Sequence, residues 1–388
     1  MYKIQTLNKI AAIGTDNFDT SKYIVEDKPE NPEAIMVRSA SMLDMEFGSN
    51  LLAIARAGAG VNNIPVEKCV EQGICVFNTP GANANAVKEL VIAGLLISSR
   101  KVPEAILWAT TLKGKGADVP KLVEKGKGDY VGPEIMGKTL GIVGLGAIGV
   151  LVANAAIALG MKVIGFDPFL SVNAAWGLSP SVKNAKSINE IYAVSDYITI
   201  HVPFNADTKG SINSETIGTM KDGVRILNFA RGELVNNADI LAALESGKVS
   251  CYVVDFPADE VIGVKGVISI PHLGASTPES EDNCAYMAAI ELIDYIENGN
   301  IKNSVNLPDA EMAKSSDTRL CIIHKNVPAI ITQITAAVSS LNINIENMLN
   351  KSKKDYAYTI LDVNNSVDNS IVEKIKAIDG VISVRCIK

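Results

Sequence analysis

Histidine occurs only three times in the 388 residues, and one of the three stands where it could transfer a proton. His272 follows the apolar run VISIP and precedes the small-residue turn LGAST, so it lies just beyond a predicted strand. Imidazole titrates near neutral pH, which makes histidine the most frequent acid or base in enzyme sites. His272 is therefore the candidate acid or base, and it needs partners from elsewhere in the chain.

Two charged residues at the ends of other predicted strands could be those partners. Arg231, in LNFARGE, offers a planar guanidinium that can hold a carboxylate through two hydrogen bonds. Glu260, in VVDFPADE, could pair with the imidazole and stabilise its protonated form. Because ligands bind at the carboxyl ends of parallel strands, three such residues at one edge indicate a site for an anionic substrate.

A glycine-rich motif predicts the cofactor. GLGAIG (144–149) fits G-x-G-x-x-G, follows a strand pattern and opens a helix, which is the context that dinucleotide binding requires. Asp167 ends the next predicted strand, where an acidic group can accept hydrogen bonds from a ribose and would repel a 2′-phosphate. The motif therefore predicts NAD in preference to NADP. A base, a carboxylate anchor and NAD together indicate hydride transfer from a hydroxy acid.

Strand-like and helix-like segments alternate along the chain, which predicts an α/β fold. Six apolar strands from residue 138 onward predict a doubly wound parallel sheet, a Rossmann fold, in an NAD-binding domain spanning 93–274. A smaller alternation predicts a flavodoxin-like substrate-binding domain, formed by 1–92 and 275–305.

Other segments connect or extend these two domains. Helices predicted at about 84–110 and 277–298 cross between them, and the lysine- and glycine-rich stretch 113–128 predicts a solvated loop. The polar segment 306–317 predicts a linker. Beyond it, 318–388 follow a βαββαβ pattern, which predicts a small ferredoxin-like module.

The bulk composition is that of a compact protein, with 47% hydrophobic and 20% charged residues. The net charge of −7 argues against nucleic-acid or membrane partners, and we find no membrane-spanning run and no signal peptide. The six cysteines form no CxxC pair, and Cys75, Cys251 and Cys321 lie in apolar runs. We therefore expect a cytoplasmic protein without disulfides or a metal site.

The segments NFARGELV, VVDFPADE and IPHLGAST, together with GLGAIG, resemble the D-isomer-specific 2-hydroxyacid dehydrogenase family over roughly residues 1–305. The resemblance implies that Arg231 anchors the substrate carboxylate and carbonyl, that Glu260 pairs with the histidine, and that His272 is the acid/base. It also implies an NAD-dependent oxidoreductase with a small-molecule substrate.

The cofactor contacts that the resemblance implies lie in the same segments. Asp255 would hydrogen-bond the nicotinamide carboxamide. The other expected contacts are Gly144, Gly146, Ala147, Ile148, Gly149, Asp167, His201, Val202, Pro203, Ala230 and Gly274. The family usually reads D-V-F-x-x-E, whereas the aspartate here adjoins the phenylalanine directly. Asp259 therefore stays an alternative to Glu260 as the partner of the histidine.

Substrate contacts are implied in the first domain. Arg38 and Ser39, in IMVRSASM, match the family's phosphate and carboxylate contacts, and Asn83, in NTPGANAN, matches another polar contact. Pro278 replaces a glutamine that the family uses. The expected substrate is 3-phosphoglycerate. Reduction of glyoxylate or hydroxypyruvate is the alternative reaction, and an NAD-sensing binding protein is the alternative without catalysis.

The module at 318–388 resembles the ACT amino-acid-binding domain. His324 and Asn326, in CIIHKNVPA, match a turn that binds an effector, and Asn344, in NINIEN, matches a further contact, which implies L-serine as a ligand. Ala329 stands where the family has glycine. The module is expected either to bind serine or to serve as an oligomerisation surface in a homodimer or homotetramer.

Overall fold

The computed structural model describes residues 1–364 and 369–388. The chain forms two compact units: one combines Met1–Asn83 with Pro278–Lys388, and the other is Ala84–Thr277. The first unit is therefore assembled from two separate stretches of the sequence. The predicted division into three domains and a linker stays a prediction.

The amino-terminal stretch of the first unit forms a five-stranded parallel sheet. Its strands are β1 (Tyr2–Leu7), β2 (Tyr23–Glu26), β3 (Ala34–Val37), β4 (Ala53–Arg56) and β5 (Cys75–Asn78), and its helices are α1 (Ala12–Thr15) and α2 (Val66–Glu71). The order β2-β1-β3-β4-β5 is that of flavodoxin-like folds, which confirms the predicted fold. The central strand β3 is buried along its whole length, as expected for a sheet covered on both faces.

The second unit contains a seven-stranded parallel sheet, with three helices before its first strand and five between later strands. The strands are β6 (Thr139–Val143), β7 (Lys162–Phe166), β8 (Lys183–Asn184), β9 (Tyr197–Ile200), β10 (Val224–Asn228), β11 (Val249–Val254) and β12 (Val267–Ser269). The helices are α3 (Ala84–Ser99), α4 (Val102–Thr110), α5 (Val119–Gly126), α6 (Ala147–Ala158), α7 (Val172–Gly177), α8 (Ile188–Val194), α9 (Ser214–Gly218) and α10 (Asn237–Glu245). Short 3₁₀ helices occur at Gly116–Asp118, Lys127–Tyr130, Gly232–Leu234 and Asp259–Val261.

The order of this second sheet, β12-β11-β10-β9-β6-β7-β8, confirms the predicted doubly wound fold. The chain winds away from β6 in both directions, so the loop after β6 lies at the switch point, where ligands bind in such sheets. GLGAIG occupies that loop. The fold therefore places the glycine motif where a dinucleotide would bind.

Three local features of the second unit differ from the prediction. The stretch predicted as one helix over 84–110 is two helices, because Pro103 lies in the first turn of α4, where its missing N–H costs nothing. The prediction of a loop at 113–128 is wrong, since this stretch contains α5, which has Pro120 in its first turn. The exposed two-residue strand β8 was not predicted, because it carries no apolar pattern.

The remaining part of the first unit is a long helix and a four-stranded antiparallel sheet. The elements are α11 (Pro278–Asn298), β13 (Thr318–Lys325), α12 (Ile330–Ser339), β14 (Ile345–Lys353), β15 (Tyr356–Val363), α13 (Asn369–Lys376) and β16 (Val381–Ile387). The order β14-β15-β13-β16 with its βαββαβ connectivity confirms the predicted ferredoxin-like module.

The antiparallel sheet packs against the amino-terminal part of its own unit. Phe77 of β5 and Tyr295 of α11 share one hydrophobic cluster with Cys321 and Tyr358 of the module. Within the predicted linker, Leu307 is fully buried. Because apolar burial is the main favourable term in folding, we infer that the module contributes to the stability of the whole unit.

Side chains of the module also hold the carboxyl end of α11. Arg319, Arg385 and Tyr358 donate hydrogen bonds to main-chain oxygens there. The accepting carbonyls are those of Tyr295, Ile296, Asn298 and Gly299. The last four carbonyls of a helix have no partner within it, and cations are favourable at this end, so both arginines act as caps.

Arg319 is itself neutralised by a buried partner. Its guanidinium makes two hydrogen bonds to the carboxylate of Asp362, at 2.6 and 2.9 Å, and both side chains are fully buried. Ser315 donates two more hydrogen bonds to the same carboxylate. Burial alone would raise the pKa of Asp362, but these donors hold it below its usual value.

Glu291, on α11, is a buried carboxyl that should make the stability of the first unit depend on pH. Its side chain is buried, one carboxylate oxygen accepts a hydrogen bond from Asn303, and the other has no partner among the described residues. Burial raises the pKa of Glu291 to about 8, although Asn303 and Lys302 oppose the rise and Asp309 adds to it.

Stability should therefore fall as the pH rises from about 4.5 toward 8, because the folded state must keep a proton that the unfolded state releases. We expect Glu291→Gln to raise the free energy of unfolding by about 1–3 kcal/mol at pH 8 and to give no gain at pH 4. Urea unfolding at the two pH values measures this difference, and an equal effect at both would contradict it.

Candidate active site

The glycine motif forms a tight loop between β6 and α6. Gly144 has φ +93°, and a Cβ there would lie 2.6 Å from the carbonyl oxygen of His201. A Cβ at Gly149 would lie 2.1 Å from the carbonyl oxygen of Gly144. At Gly146, which precedes the first turn of α6, the space is open. The two outer glycines are therefore needed for the fold of the loop, and the open middle position suits the approach of a pyrophosphate.

Asp167 connects this loop to the end of β7. Its carboxylate accepts hydrogen bonds from the backbone N–H groups of Leu145 and Phe169, each at 2.8 Å. The side chain is only partly buried, and each carboxylate oxygen can accept a second hydrogen bond. The geometry therefore fits an acceptor for ribose hydroxyls. The residues around the loop suit NAD.

His201 lies at the end of β9, followed by Val202 and Pro203. Burial lowers its pKa to about 3, so the imidazole is neutral at physiological pH. Nε2 lies 3.0 Å from Oγ1 of Thr199, and Nδ1 has no partner among the residues described. A neutral, enclosed imidazole suits packing or lining of the cofactor site better than acid/base chemistry.

Asp255 holds the segment that follows His272. Its carboxylate accepts hydrogen bonds from the backbone N–H groups of Leu273 and Gly274, each at 2.8 Å, and its carbonyl accepts one from the N–H of His272. Burial raises the pKa of this carboxyl against the lowering effect of the two hydrogen bonds. The loops after β11 and β12 are therefore joined beside the predicted acid/base.

Phe256 brings the predicted catalytic residues into contact with one ring. The centroids of its ring and the His272 imidazole are 4.4 Å apart, and Cζ of Arg231 lies 5.4 Å from the centroid of the Phe256 ring. Glu260 lies in a short 3₁₀ helix and is exposed, as is Asp259. No hydrogen bond joins Glu260 to His272 among the described residues. The choice between Glu260 and Asp259 therefore stays open.

The predicted substrate anchors belong to the first unit. Arg38, just after β3, forms an ion pair with Glu281 in the first turn of α11, with 2.7 Å between the nitrogen and oxygen atoms. The backbone N–H of Ser39 donates to Oδ1 of Asn8, and Asn83 lies in the turn before α3. Sequence reasoning missed Glu281, because nothing in a local motif signals an ion pair between residues so far apart.

The residues predicted to bind an effector are already engaged within the module. Nδ1 of the buried His324 lies 2.8 Å from the carbonyl oxygen of Lys325, and Nε2 lies 2.8 Å from Oγ1 of Thr359. Burial lowers the pKa of His324. The side-chain amides are also bonded: Asn326 donates to the carbonyl of Lys354, and Asn344 donates to Glu346.

Within residues 1–364 and 369–388, no helix combines the length and the apolar character that a membrane span requires. No group of three or more His, Cys, Asp or Glu side chains in the same part is arranged to hold a metal ion.

Comparison with known sequences agrees with this geometry. A family model described as D-isomer specific 2-hydroxyacid dehydrogenase, NAD binding domain, matches residues 96–274. The chain is 33% identical over 326 residues to D-3-phosphoglycerate dehydrogenase of Bacillus subtilis, an alignment that covers 79% of this chain and 59% of the relative. The enzyme of the same name from Archaeoglobus fulgidus is 34% identical over 292 residues, with 72% and 52% covered. The chain thus spans about half the length of the curated relatives it matches.

Solved structures show the same fold. The NAD⁺-bound 3-phosphoglycerate dehydrogenase of Entamoeba histolytica is 26% identical, with a TM-score of 0.62, and covers 79% of this chain and 98% of its own. A glyoxylate reductase from Paecilomyes thermophila is also 26% identical, with a TM-score of 0.63 and coverages of 78% and 98%. The second unit therefore contains a domain that matches the NAD-binding domain of the D-isomer-specific 2-hydroxyacid dehydrogenase family.

Proposed function

We propose that the chain oxidises D-3-phosphoglycerate to 3-phosphohydroxypyruvate with NAD, the first step of serine biosynthesis. The observation that carries the proposal is the meeting of Arg231, Phe256 and His272 at the carboxyl edge of the NAD-binding sheet. The names of the curated relatives support the substrate, which we propose for this chain by similarity.

The residues of the second unit can perform the required steps. His272 accepts the proton of the C2 hydroxyl, since its imidazole is exposed and free of hydrogen bonds to other described residues. Arg231 holds the substrate carboxylate through its guanidinium. Among the described residues this group makes one hydrogen bond, to the carbonyl of Ala230, so most of its N–H groups are available. When bound, NAD supplies the acceptor for the hydride. Either Glu260 or Asp259 would stabilise the protonated imidazole.

The substrate is tested by NADH oxidation with phosphohydroxypyruvate, hydroxypyruvate and glyoxylate at equal concentrations. We expect a strong preference for the phosphorylated acid. Equal or faster reaction of the other two acids would overturn the substrate assignment and leave the dehydrogenase assignment standing. NADH binding without turnover of any of the three would favour an NAD-sensing protein.

One observation favours the second candidate, an enzyme for an unphosphorylated acid such as glyoxylate or hydroxypyruvate. The carboxylate of Glu281 offsets the positive charge of Arg38, the residue predicted to hold the phosphate. A chain with this ion pair has less net attraction for a dianion than one with an unpaired arginine.

Glu281→Gln separates the two candidates. If Arg38 holds the phosphate, the variant should lower KM for phosphohydroxypyruvate by about fivefold, because removal of one nearby negative charge is worth about 1 kcal/mol. KM for hydroxypyruvate should stay unchanged. Steady-state kinetics with both acids measure this, and an equal effect on the two KM values would argue against a phosphate at Arg38.

For the module, we propose an oligomerisation role in a homodimer or homotetramer, with L-serine binding as the alternative. The internal hydrogen bonds of His324 favour the first, since serine would have to displace them. We also propose a cytoplasmic setting, which the free cysteines, five of them buried, support. Light scattering with and without serine distinguishes the two roles.

Ala329 offers a test of the same turn. It precedes α12 with φ +63°, a left-handed conformation that is unfavourable for any residue with a Cβ. We expect Ala329→Gly to raise the free energy of unfolding by about 0.5–1 kcal/mol. Thermal unfolding measures the change. A lower melting temperature would show that the turn is not strained.

A further inference from the structure

Arg231 and His272 reach the edge of the sheet from different loops. Arg231 follows β10 and His272 follows β12, and the strand between them in the sheet is β11. No hydrogen bond joins the two side chains among the described residues. Two planar groups on separate loops must nevertheless keep a constant separation if they act on adjacent atoms of one small substrate.

The loop after β11 contributes the group that touches both. Phe256 directly follows the buried Asp255, and its ring packs against the hydrophobic core of the second unit. The same ring lies 4.4 Å, centroid to centroid, from the His272 imidazole. It lies 5.4 Å from Cζ of Arg231, which is within the range of a cation–π contact.

Hydrogen bonds between the described residues do little to fix the orientation of either planar group. Asp255 fixes the backbone around His272, but the imidazole itself accepts or donates no hydrogen bond to a described residue. Within the described part of the chain, the guanidinium of Arg231 makes one hydrogen bond, to the carbonyl oxygen of the neighbouring Ala230. A flat aromatic face restrains the tilt of a planar imidazole or guanidinium without occupying its N–H groups.

We propose that Phe256 is a positioning residue that holds the carboxylate anchor Arg231 and the acid/base His272 against one aromatic ring. Its role rests on the proposed dehydrogenase function. The ring leaves the hydrogen-bonding atoms of both residues free for the substrate. A displacement of about 1 Å in such a pair can cost about a hundredfold in rate, so the loss of the ring should act on turnover.

The test compares Phe256→Leu, which keeps an apolar side chain, with Phe256→Tyr, which keeps the ring. We expect Phe256→Leu to lower kcat by about 10–100-fold while the Kd for NADH changes less than about twofold. Phe256→Tyr should restore kcat to within about threefold of the wild type. Phe47→Leu is the matched control, because Phe47 is also partly buried with a cation near its ring, Lys68 at 5.7 Å, but lies in the other unit.

A spectroscopic readout does not require turnover. The chain has three histidines, so a sample labelled at histidine Cε1 gives three imidazole signals, and His272→Asn identifies one of them. Phe256→Leu should shift that signal alone, through loss of the ring current, whereas Phe256→Tyr should leave it close to its original position.

The possible results distinguish failure of the positioning role of Phe256 from failure of the proposed dehydrogenase function. Three results would overturn the positioning role and leave the dehydrogenase function standing. They are a wild-type kcat in Phe256→Leu, an equal loss of kcat in both Phe256 variants, and an unshifted His272 signal in Phe256→Leu. A wild-type protein inactive on all three acids would overturn the proposed function and the positioning role of Phe256 with it. Selective loss of kcat, aromatic rescue and the selective signal shift together would establish the role.

Discussion

Replacement of His272 by asparagine should lower turnover by about 10²–10⁴-fold, the usual contribution of a positioned acid or base. Asparagine is chosen because His272 has φ +53°, a conformation that asparagine adopts more readily than alanine or glutamine. The backbone hydrogen bonds to Asp255 should therefore survive the change. Stopped-flow or steady-state oxidation of NADH measures the loss.

The Kd for NADH separates a chemical effect from a structural one. The glycine loop follows β6 and Asp167 follows β7, whereas His272 follows β12, so NADH affinity should stay within about twofold of the wild type. Turnover close to that of the wild type in His272→Asn would remove this residue from the mechanism. A parallel loss of NADH binding would indicate a collapsed loop instead of a missing proton acceptor.

Replacement of Arg319 by methionine should destabilise the first unit by about 3–5 kcal/mol, the cost of removing one member of a buried ion pair. Methionine fills similar space, but it leaves the carboxylate of Asp362 buried without its bidentate partner. It also removes the hydrogen bond to the carbonyl of Asn298 at the end of α11. Urea unfolding followed by circular dichroism measures the change.

The double variant Arg319→Met/Asp362→Leu is the matched control. It removes the uncompensated charge, so it should recover most of the lost stability, as in other buried pairs replaced by apolar residues. The wild type should lose the contribution of the pair in acid. Because the folded pKa of Asp362 lies below the usual value of an aspartate, about 3.9, that contribution is present above this pH and disappears as the pH falls through the folded pKa. A double variant as unstable as the single one would contradict the electrostatic explanation.

The sequence was sufficient to predict the two parallel sheets and the ferredoxin-like module. Apolar strands, crossovers and the position of GLGAIG all follow from short-range patterns, and these patterns predicted the doubly wound sheet and the βαββαβ module that the structure shows. Two of the errors concern elements without such a pattern. The strand β8 has two exposed polar residues, and α5 lies in a stretch whose lysines and glycines suggested a loop.

From the sequence, the residues of the candidate site could be assigned to the ends of particular strands. Arg231 and His272 could be assigned to one edge of the sheet because parallel strands align their carboxyl ends. Two contacts could not be predicted: the packing of the Phe256 ring against both residues, and the ion pair between Glu281 and Arg38. Both depend on side-chain directions across separate loops or distant segments. Sequence periodicity contains no information at that scale.

The hydrogen bonds from Arg319 and Arg385 to the end of α11 limit how this chain can be recombined. A module transplanted from another protein would need donors at both positions, or the exposed carbonyls of α11 and the apolar faces around Tyr358 would be left uncovered. Grafting experiments should therefore exchange α11 and the module together. The segment that can be exchanged as one piece therefore includes α11 as well as the module that caps its carboxyl end.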